Sequence, residues 1–472
     1  MNALYNAWKK LLREELKRKE DSSGEDMWRP TLHVAPPVGW LNDPNGLCQY
    51  KGVYHAFYQM SPFHPEGGLK FWGHCTSKDL LHWKFEGISL CPDQPYDCHG
   101  VYSGSAIVED DTMYVFYTGN VKQQGNYDYV NEGRQSGTVL AVSTDGIHFG
   151  SKELLMTNAD YPEDVTKHVR DPKVWKQDNI YYMLQGARTK ENKGVVLVFS
   201  SGDKRNWTYT GRLQSRQPFG YMWECPDLCE VDGNTVLFIS PQGLEPDGFR
   251  YANKYQSGTC FLKGDFRTNA EIGEFRELDG GFDFYAPQTF SADDGRRILI
   301  GWMGMADVQD QYTNKTIADG WQNVLTLPRE LSVRDGILCQ NPVRELYAWW
   351  NREICFTGGY HADIASCCEL DIHSDGGDVK VILADGLELC YEEDKKLFRM
   401  EFLNTSLGAG RTFRGRKIPY LKDMRIVVDI SCVEVFLNGG ADVLSTRFYP
   451  EKDQYTANVK GSKICGSCRY HE

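Results

Sequence analysis

The sequence predicts an all-β chain, a five-bladed β-propeller followed by a C-terminal β-sandwich, with a short helix in front. Three observations carry that prediction. A turn followed by an aromatic and β-branched strand recurs five times, at a period of about 60 residues: Lys51-Gly52 then VYHAFYQ, Asp110-Asp111 then TMYVFYTG, Asp178-Asn179 then IYYMLQGA, Asp232-Gly233 then NTVLFISPQ, Asp294-Gly295 then RRILIGWM. A repeat of that length suits a blade of four strands with generous loops. Beyond about residue 335 the repeat stops, and alternating strands such as VKVILA and VEVFLNG take over, joined by Gly and Asp turns as in a sandwich.

Residues 1–27 read as a helical extension, with Leu4, Trp8, Leu11, Leu12 and Leu16 at helical spacing opposite a charged face. Such a helix packs against the body of the protein. No stretch has the form of a secretory signal or the length of a membrane span. Residues 28–335 hold the blades. A second echo within them, Ser77-Lys-Asp79 to Trp83, Ser143-Thr-Asp145 to Phe149 and Ser201-Gly-Asp203 to Trp207, reads as a shared side-chain-capped turn with an aromatic anchor. Residues 336–351, with Asn341-Pro342 and Trp349-Trp350, read as a linker, and 352–472 as the sandwich.

Composition narrows the function. At 472 residues the chain can bury two cores. A net charge of −13 argues against a nucleic-acid partner, which demands clustered Lys and Arg. Fifteen cysteines, odd in number and irregular in spacing, fit reduced thiols and a cytoplasmic location better than a disulfide framework. Cys225 with Cys229, and Cys465 with Cys468, lack further ligands at zinc spacing and read as inert thiols.

Seven to nine residues before each turn stands a short segment beginning at Asp43, Ser103, Asp171, Glu224 or Tyr285, the expected innermost strand of its blade. Asp43, Asp171 and Glu224 thus stand at matching offsets and are expected to converge at the mouth of the funnel. Singly, each is an ordinary turn residue before a proline. Together, two facing carboxylates are the minimum equipment for cleaving a glycosidic bond: one attacks the anomeric carbon and the other protonates the departing oxygen. Trp40, Trp72, Trp302 and Trp321 offer flat faces to sugar rings, and Asn42, Gln59, Ser103 and Arg170 offer hydrogen bonds to hydroxyls. Phosphate-cradling loops, dinucleotide fingerprints, His-Glu-x-x-His and Gly-x-Ser-x-Gly are absent from the sequence.

At WLNDPNG (40–46), RDP (170–172) and ECPD (224–227) the chain resembles glycoside hydrolase family 32, the β-fructofuranosidases that include invertases, sucrose-6-phosphate hydrolases and fructan hydrolases. FYQ (57–59), WGH (72–74), YSGSA (102–106), DFYAPQ (283–288) and GWQNVLTLPREL (320–331) extend the likeness from His33 onward. The resemblance implies that Asp43 is the nucleophile, Glu224 the general acid/base and Asp171 the transition-state stabiliser, with no metal or cofactor. The substrate-facing set is then Trp40, Leu41, Asn42, Gln59, Trp72, Tyr102, Ser103, Arg170, Tyr285 and Trp302. Retaining chemistry sets the two carboxyls ~5–5.5 Å apart, with Glu224 protonated and Asp43 ionised near neutral pH.

Tyr102 stands where many relatives have Phe, and residues 84–91 depart from the family pattern in a way expected to alter a rim loop. Sucrose 6-phosphate is the leading substrate and sucrose the second. Fructan hydrolysis, fructosyl transfer and a binding propeller without catalysis are the alternatives. A phosphate would call on Arg or Lys, with Arg188, Lys167, Arg250 and Lys254 as the available residues. The expected partner is a small saccharide, with neither nucleic acid nor membrane. Association into a homo-oligomer through edge strands of the sandwich stays open.

Overall fold

A computed structural model describes residues 2–21, 26–307 and 312–472. The helix spans Ala3–Asp21. It buries Tyr5 and Leu12 and leans Trp8 and Leu16 on the core of blade one, with Trp8 set edge-on to Phe71 at 5.3 Å. Leu4 and Leu11, expected on that stripe, face outward, because Tyr5, Trp8, Leu12 and Leu16 already complete it. The rest of the 1–27 extension lies partly outside the described residues.

Five antiparallel sheets make the propeller. Their innermost strands are Gly39–Tyr50, Val101–Glu109, Val165–Gln177, Met222–Val231 and Tyr285–Ser291, each in contact with the next around the ring. The turns that begin the repeats join first to second strands at one end. The other end, the mouth, therefore collects the starts of all five inner strands. The echoed Ser-x-Asp turns are side-chain-capped as expected: Asp79 Oδ1 accepts from the backbone N–H of Leu81 and His82, Asp145 from Ile147 and His148, Asp203 from Arg205 and Asn206.

Inner strands of neighbouring blades share no ladder, and side chains fasten them instead. Asn45 accepts from Gly104 N–H, Ser105 bonds Pro172 O and Val174 N–H, and Gln288 bridges Leu47 N–H and Gly104 O. Lys173 reaches Thr289 O at 2.5 Å and Asp227 at 2.9 Å, so an ion pair plugs the axis. The ring closes where Trp321–Gln322 adds in parallel to the start of blade one.

The linker expected at 336–351 needs correction. Ile337–Pro342 pairs in register with Arg329–Arg334 as the outer hairpin of blade five, turning at Asp335 and Gly336, both at positive φ. An Asp-Gly turn of that kind joins two strands of one sheet and does not end the repeat. Only the helix Arg344–Trp349 and its flanks connect the propeller to the C-terminal domain. Residues 84–91, expected to alter the rim, contain the outer strand Lys84–Leu90 of blade one.

The C-terminal domain is one hydrogen-bonded sheet folded into two layers. Its last strand, Thr456–Tyr470, pairs first with Val379–Leu383 and then with Cys367–Ser374, so each half of the strand belongs to a different layer. A shared apolar core from Leu370 to Val459 lies between them. One layer rests on the propeller through Val427, Phe436 and Val443. All fifteen cysteines are free thiols. No helix among the described residues is long and apolar enough to cross a membrane.

Candidate active site

Each inner strand carries a β-bulge at the mouth, where three residues span two of the neighbouring strand. The bulges fall between Leu41 and Pro44, Val101 and Gly104, Arg170 and Lys173, Glu224 and Asp227, and Tyr285 and Gln288. This register corrects the matching offsets read from the sequence. Glu224 is the residue before its bulge, Asp171 the first bulged residue and Asp43 the second. One-residue slips change the direction of a side chain, so the three acids reach a common point from three successive strand positions. Ser103 is the true counterpart of Asp43. Asp171, Cys225 and Ala286 share the first bulged position, with φ of 63°, 48° and 49°, a left-handed backbone that costs non-glycine residues roughly 1–3 kcal/mol and clusters at functional sites.

The acids line a cavity of about 640 Å³ together with Trp40, Asn42, Gln59, Tyr102, Arg170, Tyr285 and Trp302. Asp43 accepts from Ser103 Oγ at 2.5 Å and from Asn42 Nδ2 at 3.2 Å. Gln59 orients both of these, accepting from Asn42 at 2.7 Å and donating to Ser103 at 2.6 Å. Burial pushes the Asp43 carboxyl up, partly offset by the Ser103 bond, while the charge of Glu224 adds to the rise. Asp171 is raised to about 7, chiefly by burial, against the pull of Arg170 and with the push of Glu224 and Asp43. Its Oδ2 accepts from the Cys225 N–H at 3.0 Å. The Cys225 thiol lies 4.0 Å from Asp43 and 3.7 Å from Asp171, and burial keeps it protonated.

Glu224 is the most heavily bonded of the three. Arg170 donates to Oε1 from Nε at 3.0 Å and Nη2 at 2.6 Å, while Gln242 at 2.7 Å and Tyr285 at 2.5 Å donate to Oε2. Family resemblance implies a protonated Glu224. In this structure Arg170 flanks one of its oxygens, and Gln242 and Tyr285 flank the other. His168 accepts from Arg170 Nη1 at 2.9 Å and donates to Tyr129 O at 3.0 Å, which fixes the guanidinium. Gly186 lets blade four come close: a Cβ there would sit 2.1 Å from Trp223 O.

Trp40 and Trp302 form an edge-to-face corner with centroids 5.8 Å apart, and Trp302 Nε1 has no hydrogen-bond partner among the described residues. Three members of the expected set do not line the cavity: Ser103 sits behind Asp43, to which it donates, and the other two are core residues. Trp72 is fully buried between blades one and two, its Nε1 bonded to Tyr102 O, and Leu41 is a core residue. Trp321 is buried too, against Asp26 and the guanidinium of Arg29. Lys70, Arg134, His168, Gln242 and Tyr255 line the cavity unannounced by any motif, and Asp283 joins them from the DFYAPQ segment. Among these, burial lowers Lys70 to about 8, with Asp43 opposing. Of the phosphate candidates, Arg188 bonds Asn192 and stacks on Tyr221, Lys254 bonds Asp307 O, Arg250 lines a separate cavity, and Lys167 lies outside the lining.

Carboxylates gathered at the mouth of a propeller, walled by indoles and amides, define a glycoside hydrolase of the two-carboxylate kind. Glycosyl hydrolases family 32 N-terminal domain matches residues 33–342 and the family's C-terminal domain matches 371–466; the chain belongs to glycoside hydrolase family 32. It is 41% identical over 468 residues to a sucrose-6-phosphate hydrolase of Bacillus subtilis (strain 168), covering 95% of each chain. It is 37% identical to a raffinose invertase of Escherichia coli, covering 90% of each. The solved sucrose-6-phosphate hydrolase of Lactobacillus gasseri superposes with a TM-score of 0.89 at 28% identity, over 98% of this chain and 96% of that one. A Bombyx mori β-fructofuranosidase in complex with sucrose superposes at 0.86 and 29%, over 98% of each.

Proposed function

We propose that the chain is a cytoplasmic, retaining β-fructofuranosidase whose preferred substrate is sucrose 6-phosphate, with sucrose second. The observation that carries this reading is the meeting of Asp43 and Glu224, from blades that are not neighbours, in one cavity where the charge of Glu224 is felt at Asp43. In the first step a carboxylate oxygen of Asp43 bonds to the anomeric carbon of the fructosyl unit. The bond from that carbon to the glycosidic oxygen breaks, and the departing oxygen takes the proton of Glu224. In the second step Glu224 takes a proton from water, the water oxygen bonds to the anomeric carbon, and the ester to Asp43 breaks. Asp171, between them, accepts hydrogen bonds from fructosyl hydroxyls. Ser103, Asn42 and Gln59 hold Asp43 in line for attack.

Similarity to the named sucrose-6-phosphate hydrolases supports the substrate, and the free thiols support the compartment. The test is kcat/KM on sucrose 6-phosphate, sucrose, and short and long fructans under matched conditions. The phosphorylated disaccharide should rank first. A first rank for long fructans would replace this reading with fructan hydrolysis.

A further inference from the structure

Resting on that functional reading, we infer that Arg134 is the anchor for a phosphate carried by the departing sugar, and so the specificity-determining residue of the cavity. Arg134 opens the strand Arg134–Ser143, the third of blade two, at the mouth end. Four basic side chains line the cavity: Lys70, Arg134, His168 and Arg170. Three of them are committed. Arg170 is paired with Glu224, His168 uses both ring nitrogens, and Lys70 donates to Ser61 Oγ at 3.1 Å while lying over the Trp40 ring.

Arg134 stands apart. Among the described residues its guanidinium makes no ion pair and no hydrogen bond, and its Nε is shut off from solvent without a partner. A guanidinium carries five donors in a planar fork, and an unpaired one set beside another cation is costly to keep. A phosphate supplies the missing acceptors in the two-pronged geometry that the fork matches. The position fits as well. Besides burial, the groups acting on Arg134 are Arg170, Tyr102 and Glu224. Glu224 is the group that hands its proton to the glycosidic oxygen, so Arg134 borders the place of the sugar beyond that oxygen. Lys70, by contrast, is coupled to Asp43, on the fructosyl side.

The experiment uses the full-length enzyme and its Arg134→Ala and Arg134→Lys variants, with kcat/KM on sucrose 6-phosphate divided by kcat/KM on sucrose from the same preparation. Any loss of folded protein cancels in that ratio. Arg134→Ala should lower it by about 10- to 100-fold, mainly through KM, as expected for a lost charge-assisted contact, and Arg134→Lys should fall between. Glucose 6-phosphate should inhibit the parent more strongly than glucose, and Arg134→Ala should erase that difference. A parent that favours the phosphorylated substrate, with the ratio within about twofold of it in Arg134→Ala, overturns the role of Arg134 alone. A parent with no preference for it overturns the functional reading and this inference together.

Discussion

Two regions of the molecule bury clustered charge, and they treat it in opposite ways. Where the propeller meets the sandwich, Asp429 accepts from the N–H groups of Thr31, Leu32 and His33 and from the His33 ring. Glu434 accepts from His33, Leu327 N–H and twice from Arg329, which also reaches Asp279. Burial opposes ionisation of both carboxyls, yet these partners prevail and hold them below the ordinary range; His33 is likewise raised well above its ordinary value in spite of its burial. At the mouth, Asp43 and Asp171 have fewer donors than burial demands and are raised. Saturated acids hold domains together. Under-compensated acids are left with reactivity to spend on a ligand.

The widest gap between the regions should open when one member of each is neutralised. Asp43→Asn and Glu224→Gln should each lower kcat by at least about 10²–10⁴-fold, and Asp43→Asn should do so with a denaturant midpoint no lower than the parent's. Glu434→Gln should leave activity per folded molecule near the parental value while removing about 3–5 kcal/mol of stability, because it strands Arg329 and His33 in the interior. Equilibrium unfolding in urea, read beside kcat, separates the two classes.

A finer contrast lies in pH. Asp171 binds its proton more tightly folded than unfolded, so its contribution to stability is lost as pH rises from about 4 through its folded value of about 7. Asp171→Asn should flatten that fall and raise the melting temperature near pH 7, while lowering kcat. The interface acids run the other way: their contribution is present above about pH 4 and is lost as pH falls through their depressed values. The contribution of His33 is full below about pH 6.5 and is lost as pH rises through its elevated value. His33→Gln, the smallest change, should reduce stability at neutral pH and remove the alkaline part of that dependence.

Features legible in the sequence are local, and those that are not depend on a neighbouring strand. Turn pairs such as Asp110-Asp111 and Asp232-Gly233 announce the hairpins because their residues accept positive φ. The one-residue displacements that separate Glu224, Asp171 and Asp43 within their bulges are invisible without the partner register. Trp40 and Trp72 look alike in composition, yet one faces the cavity and the other fills a seam between blades. Gln242 and Arg134 lie on the second and third strands of their blades, outside the family-like segments, and only blade geometry brings them to the cavity that holds Glu224. The Asp335-Gly336 turn differs, because it is local: an Asp-Gly pair between two strand-like runs is enough to carry blade five on to Pro342.

Asp43 as the attacking group is the centre of the mechanism, and trapping tests it most directly. Glu224→Gln lacks the base for the second step, so with an activated fructoside whose leaving group needs no proton, the fructosyl ester should accumulate. Rapid quenching, proteolysis and mass spectrometry should then find the fructosyl mass on the peptide containing Asp43. The same mass on the Asp171 peptide, or product formed with no adduct on any carboxylate, would contradict the assignment.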